Sequence, residues 1–292
     1  MENEKVYIVG HRNPDADSIC SAIAYAYLKN KEENTEKYTP ARQGKINSET
    51  YFIFKYFNYT ILPHLIHDAE GKKIILVDHN EEDQSLKNIK KADILEVVDH
   101  HNVNFSLGKP IFFIAEPVGC TATIILDLFK SRNIAIPKHI AGLMLSSIIS
   151  DTLLFKSPIT TQKDRTAVEE LLKITGIENI KEYAFEMFCA KARIDKKTAE
   201  EIITCDLKEY DFNGVKVTIG QIELFNLDKM YERKDELIAA MKNYIECREL
   251  KSFVLMLTNI EEEYSDLFIV AKKVCTIERI ASAFGTQPQY NT

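Results

Sequence analysis

The sequence has no Cys-x-x-Cys pair, no long uncharged apolar run, no adjacent glycines and no surplus of basic residues. Each absence excludes a class of function. The six cysteines (Cys20, Cys120, Cys189, Cys205, Cys247 and Cys275) are scattered, which argues against a zinc knuckle, a dithiol redox motif or a disulfide framework and fits a reducing cytoplasm. No segment is long and charge-free enough to span a bilayer. Met1 to Gly10 has neither the basic nor the apolar region of a secretory signal. With a formal net charge of −7, the chain has no general attraction for nucleic-acid phosphates, so a small polyanion must be met by local cations or bound metal.

What is present is enough apolar material for two domains: 292 residues, 45% of them hydrophobic. Lys5 to Gly10 reads as a buried strand, and Ile19, Ala22, Ile23 and Tyr27 then carry the apolar spacing of a helix over Asp17 to Leu28. Similar buried runs recur at Lys73 to Val77 and Ile94 to Val98. Alternation of this kind predicts an α/β fold: a doubly wound, mainly parallel sheet with helices on both faces. Thr121 to Arg132 and Ile140 to Phe155 are predicted as long helices, the second apolar enough to be central. Ile177 to Ala190 is a further helix, and the charged stretch that follows sets the expected boundary between domains 1–190 and 191–292. Strands at Lys216 to Ile219, Phe253 to Leu257 and Leu267 to Val270, around a helix from Asp235 to Glu249, predict a smaller mixed-sheet α/β domain.

Three of the predicted strands end in the same chemistry: Gly10-His11-Arg12-Asn13-Pro14-Asp15-Ala16-Asp17, Val77-Asp78-His79-Asn80 and Val98-Asp99-His100-His101. Strand ends of an open α/β sheet line one crevice, so these loops are expected to converge. Asp151 sits within the apolar segment Leu145 to Leu154, where an unpaired carboxylate is strongly disfavoured. Taken singly, each motif has a plainer reading: a turn and helix cap for His11 to Asp17, a turn for Asp78 to Asn80, a hydrogen-bonded core carboxylate for Asp151. Together they predict a two-metal centre, and carboxylates mixed with imidazoles suit Mn²⁺ or Co²⁺ better than Mg²⁺. His64, His67 and His139 lack companion carboxylates and are assigned to surface or packing.

These motifs, with Pro117-Val118-Gly119-Cys120-Thr121-Ala122-Thr123 and Ser150-Asp151-Thr152-Leu153-Leu154-Phe155-Lys156-Ser157-Pro158, make the chain resemble family II, manganese-dependent inorganic pyrophosphatases of the Asp-His-His phosphoesterase superfamily. The resemblance runs over essentially the whole chain. It implies two Mn²⁺ (or Co²⁺) per subunit, one held by His11, Asp15 and Asp78, the other by Asp17, Asp78, His100 and Asp151, with Asp78 bridging. It implies His101 as a contact to substrate phosphate, Asp99 as the group that orients a histidine, and Lys208 of the DHHA2-like second domain as a substrate-binding lysine. The implied reaction is in-line hydrolysis of pyrophosphate, with Mg²⁺ arriving on the substrate, in a cytoplasmic homodimer that has no nucleic-acid or membrane partner.

The family's usual C-terminal Ser-Arg-Lys-Lys-Gln segment has no counterpart after Phe284 to Thr292, so a shortened second domain with weakened turnover is expected. Other readings are a superfamily phosphoesterase acting on oligonucleotides or nucleotides, against which the missing Gly-Gly pair argues, and a phosphate-ligand-binding protein of low turnover. Only 61 positions separate Asp17 from Asp78. That spacing leaves no room for an inserted nucleotide-binding regulatory domain.

Overall fold

A computed structural model describes residues 5–192, 194–212 and 215–289. Met1 to Glu4 and Tyr290 to Thr292, on which parts of the terminal readings fell, lie outside the described residues. The chain divides into two compact units, Met1–Lys191 and Ala192–Thr292.

The first unit runs β1 (Val6–Val9), α1 (Ala16–Glu32), β2 (Tyr38–Arg42), α2 (Ser48–Tyr56), β3 (His64–Leu65), β4 (Lys73–Val77), β5 (Asp93–Asp99), β6 (Phe112–Ala115), α3 (Thr121–Ser131), α4 (Lys138–Asp151), α5 (Gln162–Thr175) and α6 (Ile180–Ala192). Its six strands form one sheet in the order β3-β2-β1-β4-β5-β6, and every pairing is parallel. From β1 the chain first winds outward through β2 and β3, then crosses back to β4 and winds the other way. The reversal between β1 and β4 is the topological switch point, where crevices open at the carboxyl ends of strands. One face of the sheet buries Val9, Ala41, Ile74, Leu76 and Val97 with Leu86 and Ile89. The alternate residues Ile8, Ile75, Val77 and Val98 are fully buried as well, as a sheet covered on both faces requires.

Local chemistry sets the helix ends. Asp15 caps α1 by accepting from the Ser18 amide, and Lys29 and Lys31 lie in its last turn, matching the sign of the helix dipole at both ends. Ile140 to Ser150 of α4 are buried throughout, which makes it the central helix. The helix expected to reach Phe155 stops at Asp151 because Leu153, Leu154 and Phe155 adopt left-handed backbone, with φ of 47°, 48° and 72°. Such a run is disfavoured for residues with side chains and ends a right-handed helix.

The second unit comprises α7 (Ala199–Ile203), β7 (Leu207–Phe212), β8 (Val215–Leu224), α8 (Asp228–Glu232), α9 (Lys234–Cys247), β9 (Ser252–Asn259), β10 (Tyr264–Ala271) and α10 (Val274–Ala283). Its sheet, ordered β10-β9-β8-β7, is mixed: β8 and β9 are parallel across the α9 crossover, while the outer pairs are antiparallel. Leu237, Met241 and Ile245 of α9 pack on Phe253, Leu255 and Leu257 of β9. No helix among the described residues is long and apolar enough to cross a membrane.

Candidate metal centre

Sheet register brings the sequence motifs to one rim. Val9 pairs with Leu76 and Val77 with Val98, so the chain leaves β1, β4 and β5 at the same level, into His11, Asp78 and His100. The Asp78 amide extends the ladder by donating to Val98 O at 3.0 Å, and Asp78 then turns with φ of 60°. Gly10 is required because a Cβ there would stand 2.8 Å from Ser18 Cα; the loop from β1 passes directly over the first turn of α1.

The side chains form three overlapping groups with ligand atoms within 4.8 Å of one another: His11, Asp15 and Asp78; Asp17, His100 and Asp151; and Asp78, His100 and His101. His11 Nε2 lies 3.4 Å from an oxygen of Asp15 and 3.4 Å from Asp78 Oδ2, and His100 Nε2 lies 3.3 Å from Asp78 Oδ1. Asp78 is therefore common to both sides, one oxygen toward each. Lys208 belongs to the second unit, on β7, where it is exposed and its ammonium is 3.9 Å from Asp206.

Buried partners orient several of these side chains. Val118 O lies 3.0 Å from Nδ1 of His100, so a proton on Nδ1 leaves the Nε2 lone pair free to face the carboxylates. Asp17 accepts from the Thr121 amide at 2.8 Å and from Ser21 Oγ at 2.6 Å. Asp99 is fully buried and accepts from Asn80 Nδ2 at 2.6 Å and from the His100 amide at 2.8 Å, with His101 Nδ1 at 2.9 Å. Asn80 is itself fixed, accepting from the Asn104 amide at 2.6 Å.

Electrostatics follow from this crowding. Burial, then the charges of Asp17, Asp15 and Asp151, push the Asp78 carboxyl well above the ordinary range. Burial, then Asp17 and Asp15, do the same to Asp151. Burial alone would raise Asp15 and Asp99 too, but His11 holds Asp15 low and His101 with Asn80 holds Asp99 low. The hydrogen bond to Asp99 raises His101 against its own burial. His79 belongs to none of the three groups: burial lowers it to about 4, and its Nδ1 lies 2.9 Å from Val77 O.

Four clustered carboxylates that repel one another, with Asp78 Oδ2 buried and lacking a hydrogen-bond partner among the described residues, form an unbalanced site without a cation. Oxygen and imidazole donors in this ratio fit a divalent transition ion. The supporting groups Val118, Thr121 and Asn80 escaped sequence reasoning as ligand supports. Only the approach of distant segments reveals them, as in the bond between Thr121 and Asp17, 104 positions apart.

Residues 5–148 match the DHH family, N-terminal domain, and residues 185–292 match the DHHA2 domain. Fold and site together define a DHH–DHHA2 metallohydrolase. The chain is 45% identical to the manganese-dependent inorganic pyrophosphatase of Methanothrix thermoacetophila, over 99% of its own length and 92% of the relative's. It is 43% identical to that of Bacillus subtilis strain 168, over 99% and 92%. Among solved structures, that of a Methanococcus jannaschii protein assigned to the family II inorganic pyrophosphatases superposes with a TM-score of 0.64 and 39% identity, covering 93% of this chain and 90% of that one. The chain belongs to the family of manganese-dependent inorganic pyrophosphatases.

Proposed function

We propose that this protein hydrolyses inorganic pyrophosphate to two phosphates, using two Mn²⁺ per subunit and taking its substrate as a Mg²⁺ complex. The observation that carries the reading is the shared carboxylate: Asp78 presents one oxygen to His11 and the other to His100. His11, Asp15 and Asp78 would hold one cation, and Asp17, Asp78, His100 and Asp151 the other. When bound, the pair acidifies a water and withdraws charge from the attacked phosphoryl group.

The remaining steps belong to the chain's own residues. Asp99 takes the Nδ1 proton side of His101 and favours its cationic form, which leaves Nε2–H to donate to a phosphate oxygen as charge builds there. Lys208 supplies a second cation to the substrate from the DHHA2 domain (residues 191–292), and residues 1–190 form the catalytic domain. His100, held by Val118 O, keeps a fixed ring orientation through the cycle. The same reading includes a homodimer, tested by light scattering for twice the chain mass, and a cytoplasmic compartment, tested by fractionation.

The decisive experiment measures phosphate release from pyrophosphate under Mn²⁺ plus Mg²⁺, beside release from a short oligonucleotide and a nucleoside monophosphate. Turnover confined to pyrophosphate is expected. Preference for either nucleotide substrate, or tight pyrophosphate binding with no turnover, would overturn the proposal.

A further inference from the structure

Behind the centre lies a carboxylate that the reaction above does not use. Asp164, in the first turn of α5, is fully buried. Its Oδ2 accepts from the Thr161 amide at 2.8 Å, Thr161 Oγ1 at 2.6 Å and the Gly119 amide at 2.9 Å, and its Oδ1 accepts from Thr123 Oγ1 at 2.7 Å. Three donors converge on one oxygen and one on the other. Of the two from Thr161, the amide bond belongs to the capping box of its own helix. The other two come from a different segment and clamp the entry to α3 on both sides of Thr121.

That segment carries the supports of two metal-ligand candidates. Val118, next to Gly119, presents the carbonyl that faces His100 Nδ1 at 3.0 Å. Thr121, between the two clamped residues, donates its amide to Asp17 at 2.8 Å. A Cβ on Gly119 would stand 2.7 Å from Cγ2 of Thr152 and 2.9 Å from Asp164 Oδ2, so the loop is also wedged against the neighbour of Asp151. Asp17, His100 and Asp151 are one of the three ligand groups, and all three are held against this one loop. The opposite group has its own support, since Asp15 accepts from Ser18 N at 3.0 Å. Thr121 Oγ1 also reaches the shared Asp78, at 3.3 Å and on Oδ1, the oxygen that faces His100.

We propose that Asp164 is a positioning residue for one cation only, the one held by Asp17, His100 and Asp151, acting through the Gly119–Thr123 backbone. The inference rests on the two-cation reading above. Losing an outer partner of a metal ligand weakens affinity by about 10- to 100-fold, and here the loss should fall on one of the two ions.

The test is calorimetric titration of Mn²⁺ into the chelator-treated full chain, unsubstituted and as Asp164→Ala, Gly119→Ala and Asp164→Asn. In Asp164→Ala and Gly119→Ala one site should weaken by roughly 10- to 100-fold and the other by less than about threefold. Asp164→Asn should recover most of the loss, because its amide oxygen can still accept from Gly119 while its NH₂ donates to the Thr123 hydroxyl. If Asp164→Ala does not fold, Gly119→Ala carries the test, since it keeps the carboxylate while its Cβ crowds the contact between Gly119 and Asp164 Oδ2. Equal weakening of both sites, or lowered thermal stability with both affinities unchanged, would overturn the role of Asp164 and leave the two-cation reading intact. An unsubstituted chain that binds fewer than two Mn²⁺ would overturn both.

Discussion

The two units bury very different chemistry. In the first, Asp17, Asp78, Asp99, Glu49, Asp164 and Lys29 lie out of solvent; in the second, the buried polar residues among those described are Thr218, Ser252 and Asn259, all uncharged. The second unit is organised by apolar packing between α9 and its sheet. The first combines such packing with charges that destabilise it when unpaired. Sites of chemistry are where a fold accepts that penalty, so the contrast separates the unit that buries clustered charge from the unit held by apolar packing.

The sharpest way to break this contrast is Asp78→Ala. Hydrolysis should fall by roughly 10³-fold or more with loss of paired Mn²⁺, while the metal-free chain should melt higher because a repelled buried carboxylate has gone. Full activity with two bound ions would erase the distinction. Phe253→Ala probes the other side. That ring is fully buried and meets Tyr244 edge-on at 5.3 Å, so truncation should destabilise the second unit by about 3–5 kcal/mol in denaturant titration and leave Mn²⁺ affinity unchanged.

A smaller effect is expected from pH. Asp78 and Asp151 titrate above their ordinary value of 3.8 in the metal-free fold, so the native state holds their protons more tightly than the unfolded chain. Their stabilising protonation is complete below 3.8 and is lost as pH rises toward their folded values, at up to about 1.4 kcal/mol per group for each pH unit. Asp15 and Asp99 are shifted downward, so their contribution is already complete above the ordinary value and does not vary there. Buried His79, lowered from 6.5 to about 4, gives the opposite trend up to its ordinary value, so it is above about pH 6.5 that the melting temperature of the chelated chain should fall and that of the Mn²⁺-loaded chain should vary less. A metal-free chain whose stability rises over that range would contradict the crowding described for the first unit. The smallest expected change is in Lys208→Ala, an exposed position. Stability should stay within about 0.5 kcal/mol while KM for pyrophosphate rises.

How much of this was legible in sequence depended on distance along the chain. β4 and β5 were plain because Ile74, Ile75, Leu76, Val97 and Val98 are buried on both sheet faces, which gives an unbroken apolar run. β2 carries Pro40 and half-buried residues, and β6 carries exposed Phe112; neither has the pattern of a central strand, and both went unread. α5 was missed as well, although its Thr161 capping box and left-handed Gly176 are local signals. His64, assigned to surface or packing, sits on the edge strand β3 and stacks on Tyr7 at 5.7 Å. The ligand candidates stood out because each closes a short motif. Their supports did not, because the contacts of Asp164 with Gly119 and of Asn80 with Asp99 exist only after the sheet and its helices have come together.

The ligand candidates start at His11 and end at Asp151, so they are drawn from most of the length of the first unit. Ions held by them would act as removable cross-links between segments that are strangers in sequence. Occupancy at a hundred times the dissociation constant adds about 2.7 kcal/mol to the folded state, a sizeable share of what a typical domain has in reserve. Manganese supply would then govern how long the chain survives unfolding and proteolysis, and not merely how fast it turns over.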